Sequence, residues 1–133
     1  MSLYLAIGTE RPFHCSAAGK ILLAYKSTED IERIINEKPL QRFTSKTIID
    51  PVKLKENLKK IRDNGFAFTH GEFKEGVVAV AAPIKDINRE VIASISLAGI
   101  YLHISSDNAE MLIKVATDSA QEISEKLGYK AEK

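Results

Sequence analysis

Tryptophan is absent from this sequence, and cysteine occurs once, at Cys15. A single thiol cannot close a disulfide within the chain, and it excludes CxxC metal patterns. It also leaves a thiol-based redox enzyme without an intrachain resolving partner. No apolar run reaches the ~20 residues that a membrane-spanning helix needs, and nothing in the opening residues reads as a signal peptide. A cytoplasmic protein with no membrane partner is expected. Excess charge is missing too: 19 Lys+Arg face 18 Asp+Glu, for a net +1. That balance leaves no electrostatic footprint for nucleic acid. The densest basic cluster, Lys53, Lys55, Lys59, Lys60 and Arg62, is interleaved with Leu54, Leu58 and Ile61, and reads as the solvated face of a helix. There is no internal repeat and no low-complexity linker.

What remains is an ordinary globular chain of 133 residues, 44% hydrophobic, read as one domain spanning 1–133. Leu3–Ile7 alternates and predicts a short strand before a Gly8-Thr9 turn. Ser16 is a good N-cap for a helix through Ala24 or Tyr25. Thr28 is read as the cap of a second helix, with Glu29 and Asp30 in its first turn and Ile31, Ile34 and Ile35 as its stripe. Residues 40–49 read as irregular. Asp50-Pro51 starts a third helix and Asn64-Gly65 stops it. The period then changes. Phe66–Thr69, Val77–Ile84 and Val91–Leu97 predict strands. Ser106 or Asp107 caps a long final helix with the stripe Ala109, Leu112, Ile113, Ala116, Ala120, Ile123 and Leu127, closed by Gly128. The fold class is α+β, an antiparallel sheet flanked by helices. The isolated first strand predicts that the chain is part of a longer protein, with earlier N-terminal strands and a helix absent.

The stretch "RPFHCSAAGKILLAY", residues 11–25, raises the chemical question. Small residues at a helix start allow a ligand to approach unsatisfied N–H groups at the positive end of the dipole. They equally allow the helix to pack tightly on a sheet, and physics alone favours that packing. His14 and Cys15 are adjacent in an extended segment and point to opposite faces, so they do not form a nucleophile–base dyad. His14 reads as a packing or backbone-bonding histidine, and Cys15 as a small buried hydrophobe. His70, Glu72 and His103 are candidate metal ligands, but three dispersed histidines do not make a metal site. No metal and no cofactor are expected.

"RPFHCSAAGKILLA" resembles the P-x-H-x-[ST]-A-x-G-K-x-x-L-A segment of the IclR family of transcriptional regulators. "LKENLKKIRDNGFAFTHGEFKEGVVAVAAPIKD" resembles that family's signature region, with Gly65, Glu72, Gly76, Ala79, Ala81, Ala82, Pro83 and Asp86 where the pattern wants them. "VIASISLAG" is similar to its S-x-S-G strand, and "ISEKLGY" to its usual end. The resemblance implies a GAF- or PAS-like sensor domain. It would bind a small metabolite, an organic acid by preference, and act without enzymatic activity. It also implies DNA binding only through an N-terminal winged helix-turn-helix domain that this sequence lacks, and a homo-dimer or tetramer.

The resemblance also reverses the reading of the helix start, which becomes the anion end of an effector pocket. The ligand-binding candidates it carries over are Ser16, Ala17, Ala18 and Gly19 at that start, then Thr69 and Glu72. Val77 and Ala79 follow on the first central strand, and Ser96 and Ala98 on the second. Small side chains on a strand face make room. Ser94 shares the Ser96 face, so a serine ladder forms either a polar wall or a bland polar sheet surface. Thr69 stands where Asp or Ser is usual. Asn88-Arg89 replaces a common turn glycine, Ala98 the second serine of the motif, and Ile100 the following proline. The rival reading is a small GAF-like enzyme using Cys15, such as a thiol-based reductase. A bare dimerisation module is a third, which the pocket-like residues argue against.

Overall fold

The computed structural model describes residues 12–37, 39–100 and 106–131. The expected strand at Leu3–Ile7, its Gly8-Thr9 turn and His103 lie outside them. Among the described residues, four helices and three strands follow one another as α1 (Ala17–Ala24), α2 (Thr28–Glu37), α3 (Pro51–Asn64), β1 (Ala67–His70), β2 (Val77–Lys85), β3 (Val91–Ile100) and α4 (Ser106–Lys126). The α+β class and the order of elements from 16 onward are as the sequence predicts.

The helix starts are set by local chemistry. Ser16 caps α1 by accepting the Gly19 N–H. Asp50 caps α3, with Pro51 at the first helical position and Gly65 closing the helix at φ 82, a left-handed conformation that glycine adopts without penalty. The second helix corrects the expectation of a Thr28 cap. Ser27 holds that role, its Oγ accepting the Asp30 N–H at 3.1 Å and its carbonyl accepting from Ile31. Two adjacent hydroxyl residues offered the same chemistry, and only the one three residues before Asp30 has the reach.

The sheet is an antiparallel meander, β1-β2-β3. Its register lines up Thr69 with Ala79 and Ala67 with Ala81, then Ala79 with Ala98 and Ala81 with Ser96. Cross-strand partners share a face, so the sheet has two distinct sides. One carries Val80, Ala82 and Ile84 against Ala116 and Ala120 of α4. The other carries Ala67 and Ala81 beneath α1, in one core with Leu54, Leu58 and Ile61 of α3 and with Ile31 and Ile35 of α2. Lys53, Lys59, Lys60 and Arg62 are exposed on α3, as expected of a solvated face, and Lys55 is half-buried and paired with Glu32.

The final helix departs from its predicted stripe. Ile123 and Leu127 are exposed, while Ser124 is buried. The cause lies in β2. A register irregularity at Ile84/Lys85 leaves the Lys85 N–H in need of an acceptor, and Ser124 Oγ provides it at 2.9 Å while donating to the Ala120 carbonyl at 2.7 Å. In the turn between β2 and β3, Arg89 has φ 65, which explains why a glycine is the easier residue there.

Candidate functional site

The α1 start is built from residues 12–20. Ser16 Oγ donates to the Pro12 carbonyl at 2.7 Å and accepts the Gly19 N–H at 3.1 Å, so its hydroxyl is committed to the backbone. Gly19 is small for a local reason. A Cβ there would sit 2.6 Å from Phe13 Cα and 2.7 Å from Ser16 Oγ. Ala17 is buried in the core. This much of the small-residue run serves packing. Yet the N–H groups of Ala17 and Ala18 make no hydrogen bond among the described residues, which leaves two donors at the positive end of the helix dipole.

The strand candidates fall on the α1 side of the sheet. Thr69, Ala79 and Ala98 form one row across the three strands, Ser96 stands in the next row, and Val77 faces Ile100 at the far end. Thr69 is buried, Ala79 and Val77 are half-buried, and Ser96 and Ala98 are exposed. Ser94 donates its hydroxyl to the Ala18 carbonyl at 3.3 Å, so the helix start lies against β3 beside Ser96. The serine ladder is thus split: Ser94 is a tie between helix and strand, and Ser96 faces outward.

Glu72 takes another role. Its carboxylate meets Lys20 Nζ at 2.5 Å, with the Lys20 side chain 1% exposed and that of Glu72 13%. Asn57 Oδ1 accepts from the same ammonium at 2.7 Å. A buried cation is tolerated only with such partners. Lys20, a surface residue by type, is sealed inside the domain. The signal was present in the spacing, because Ala17, Lys20, Ile21 and Ala24 are all buried on one face of α1, the i, i+3, i+4, i+7 pattern of a core stripe. The loop bearing Glu72 is clamped by two threonines the sequence reading passed over. Thr47 Oγ1 donates to the Glu72 carbonyl at 2.6 Å, and Thr44 Oγ1 to the Gly71 carbonyl at 2.5 Å.

His14 is a backbone-bonding histidine, its Nε2 donating to the Gln41 carbonyl at 2.8 Å. Cys15 is fully buried. Burial first, and then the Glu72 carboxylate, push its thiol up to about 11, with Lys20 pulling weakly the other way. Such a thiol is an inert hydrophobe at neutral pH. No cluster of three metal-ligating side chains occurs among the described residues. A separate cleft of about 250 Å³ lies between α4 and the end of β2, bordered by Tyr25, Lys85 and Tyr129, and includes none of the predicted residues. Lys85 Nζ stands 5.5 Å from the centre of the Tyr25 ring and 5.6 Å from that of Tyr129. No described helix is long and apolar enough to cross a membrane.

A half-covered sheet face and two helix-start N–H donors thus lie together on the α1 side of the sheet. The chain belongs to the family of bacterial transcriptional regulators described as IclR C-terminal, whose model matches residues 1–125. It is 34% identical over 127 residues to the HTH-type transcriptional regulator KipR of Bacillus subtilis, covering 96% of this chain and 51% of that protein. It is 36% identical over 122 residues to the transcriptional repressor IclR of Escherichia coli, covering 89% of this chain and 44% of that protein. The crystal structure of the Thermotoga maritima IclR superposes with a TM-score of 0.88 at 31% identity, over 96% of this chain and 51% of that one. The chain therefore spans about half the length of the relatives it matches, and these relatives are regulators, not enzymes.

Proposed function

We propose that this chain is the effector-sensing domain, residues 1–133, of an IclR-type transcriptional regulator, binding a small anionic metabolite. The observation that carries this reading is convergence. Family membership supports the regulator role, and the α1 start, whose Ala17 and Ala18 N–H groups have no partner among the described residues, lies on the same sheet face as Thr69, Val77, Ala79, Ser96 and Ala98. Ser16 and Gly19 shape that start, and Glu72 supports it from behind by holding Lys20. Binding would bias two arrangements of a cytoplasmic homo-dimer or tetramer, and so change DNA affinity in a winged helix-turn-helix domain of the full-length protein.

The test is a thermal-shift screen against small organic acids, followed by calorimetry. A ligand present at a hundred times its Kd adds about 2.7 kcal/mol to stability by mass action, a shift easily read. Ala18→Asp should abolish binding while melting within a few degrees of the parent, because a carboxylate in a first helical turn is stabilising by about 0.3–1 kcal/mol. A variant that melts normally and binds as tightly as the parent removes this helix from the site.

A further inference from the structure

We propose that the cleft between α4 and the end of β2 is a second ligand site, taking a phosphate group, free or on a small metabolite, with Lys85 as its cation and the Tyr25 and Tyr129 hydroxyls as donors. It shares no residue with the α1 start and does not rest on the reading of that start. The C-terminal end of α1 at Tyr25, Gly65 between α3 and β1, the last residues of β2, and α4 with the segment after it border the space. Its volume of about 250 Å³ is that of roughly eight waters at ~30 Å³ each, room for a phosphate and a few carbon atoms.

What the walls still offer is one-sided. Thr117 Oγ1 donates to the Ile113 carbonyl at 2.9 Å. Ser124 Oγ is spent between the Ala120 carbonyl and the Lys85 N–H, and Gln121 donates its amide to Glu125 at 3.2 Å. Ala82, Pro83, Ala120 and Ala131 add apolar surface, and no acidic side chain borders the space among the described residues. The groups left over are all donors. Lys85 is half-buried, and its ammonium lies over the Tyr25 and Tyr129 rings at 5.5 and 5.6 Å, with no ion pair or hydrogen bond among the described residues. Lys20, by contrast, has two oxygen partners. An ammonium that has shed part of its hydration without a carboxylate calls for an anion. Helix carbonyls do not claim it, because the closing ones of α1, α3 and α4 already accept the N–H groups of Lys26, Gly65 and Gly128. The two phenols likewise make no hydrogen bond among the described residues. Burial pushes the Tyr25 pKa up, against the pull of Arg62 and with help from Tyr129, so at neutral pH this hydroxyl keeps its proton and can donate. Arg62, exposed and without an ion pair among the described residues, brings a second positive charge near Tyr25. A phosphate group, with a charge of about −1.5 to −2 at pH 7, matches two cations and two hydroxyl donors better than a monocarboxylate does.

The test is calorimetric titration of the chain, in buffer free of phosphate and sulfate, with inorganic phosphate, glycerol 3-phosphate and acetate. It is run on the parent, Lys85→Met, Tyr25→Phe/Tyr129→Phe and Ala18→Asp. The parent is expected to bind a phosphate at least about tenfold tighter than acetate. Tighter binding of glycerol 3-phosphate marks a phosphate ester as the ligand, and tighter binding of inorganic phosphate marks the free ion. Lys85→Met should weaken that binding at least about tenfold. The phenylalanine pair, which keeps both rings, should weaken it about three- to tenfold, and Ala18→Asp should leave it unchanged. A parent that binds neither phosphate, or binds acetate as tightly, overturns the proposal. So does phosphate binding that Lys85→Met and the phenylalanine pair both leave intact, or that Ala18→Asp removes. Should Lys85→Met melt early, the phenylalanine pair decides alone.

Discussion

At the scale of single residues, Gly19 shows how a helix can want the residue least suited to helices. Alanine is favoured over glycine inside a helix by about 1 kcal/mol. Here the added methyl would meet Phe13 Cα at 2.6 Å, a backbone atom that cannot swing aside. Gly19→Ala should therefore lose a net ~1–2 kcal/mol in urea unfolding, overpacking outweighing propensity. Lys20 is the opposite case, a residue that belongs to the surface by type and to the core by position. Lys20→Met strands the Glu72 carboxylate at a nearly dry site, and a loss of about 3–5 kcal/mol is expected. The double variant Lys20→Met/Glu72→Met should recover most of it, since an apolar pair needs no compensation there; a double variant no better than the single would contradict this account. Cys15 gives a pH dependence of definite sign. Its folded pKa of about 11 lies above the thiol's ordinary value of 9.0, so the native state keeps its thiol proton where the unfolded chain has released one. The contribution is complete below pH 9 and is lost as pH rises towards 11. Melting temperature should fall more steeply across that window in the parent than in Cys15→Ala, and the thiol should resist alkylation in the folded protein at neutral pH.

At the scale of elements, helix ends were legible wherever one capping group stood alone. Asp50-Pro51 and Gly65 bracket α3 where the sequence reading put them, because each does a job no neighbour can do. Ser27-Thr28 was ambiguous because both are hydroxyl residues, and distance to Asp30 settled it. Strand interiors were legible and strand ends were not. β3 runs to Ile100 instead of Leu97 because Ala98, Gly99 and Ile100 still find partners in Val77–Ala79, a pairing that no local pattern encodes. The last turns of α4 were misread for a similar reason. Apolar periodicity chose Ile123 and Leu127, whereas the inward position belongs to Ser124, which answers an N–H on a strand 39 positions away. The candidate site was legible only through the family resemblance; residue chemistry alone favoured tight packing for the small residues, and Gly19 bears that part out. Ser124→Ala should leave the Lys85 N–H without its acceptor and cost about 1–3 kcal/mol, with faster amide exchange at Lys85 as the local sign. An unchanged exchange rate there would mean that water or another group replaces the hydroxyl.

At the scale of the whole molecule, near-neutrality governs what the chain does alone. With a net charge of +1, it should show no tight, sequence-dependent binding to duplex DNA in fluorescence anisotropy at physiological salt. Specific binding by this chain would remove the sensor reading. The way α1 is docked has a further consequence, in the time dimension of synthesis. The helix has eight residues, too few to hold together in water without a surface to lie on. The surface it needs includes β3, and the bond that ties them joins Ser94 to Ala18 across 76 positions of chain. The meander can zip through neighbouring hairpins, but this closure spans most of the domain and is expected to come late. On the ribosome, residues 16–19 emerge long before the strand they dock on. A nascent chain halted before Ser94 leaves the tunnel would already contain every residue of α1 and still lack the surface that holds it, so the helix is fixed in place only with the arrival of β3.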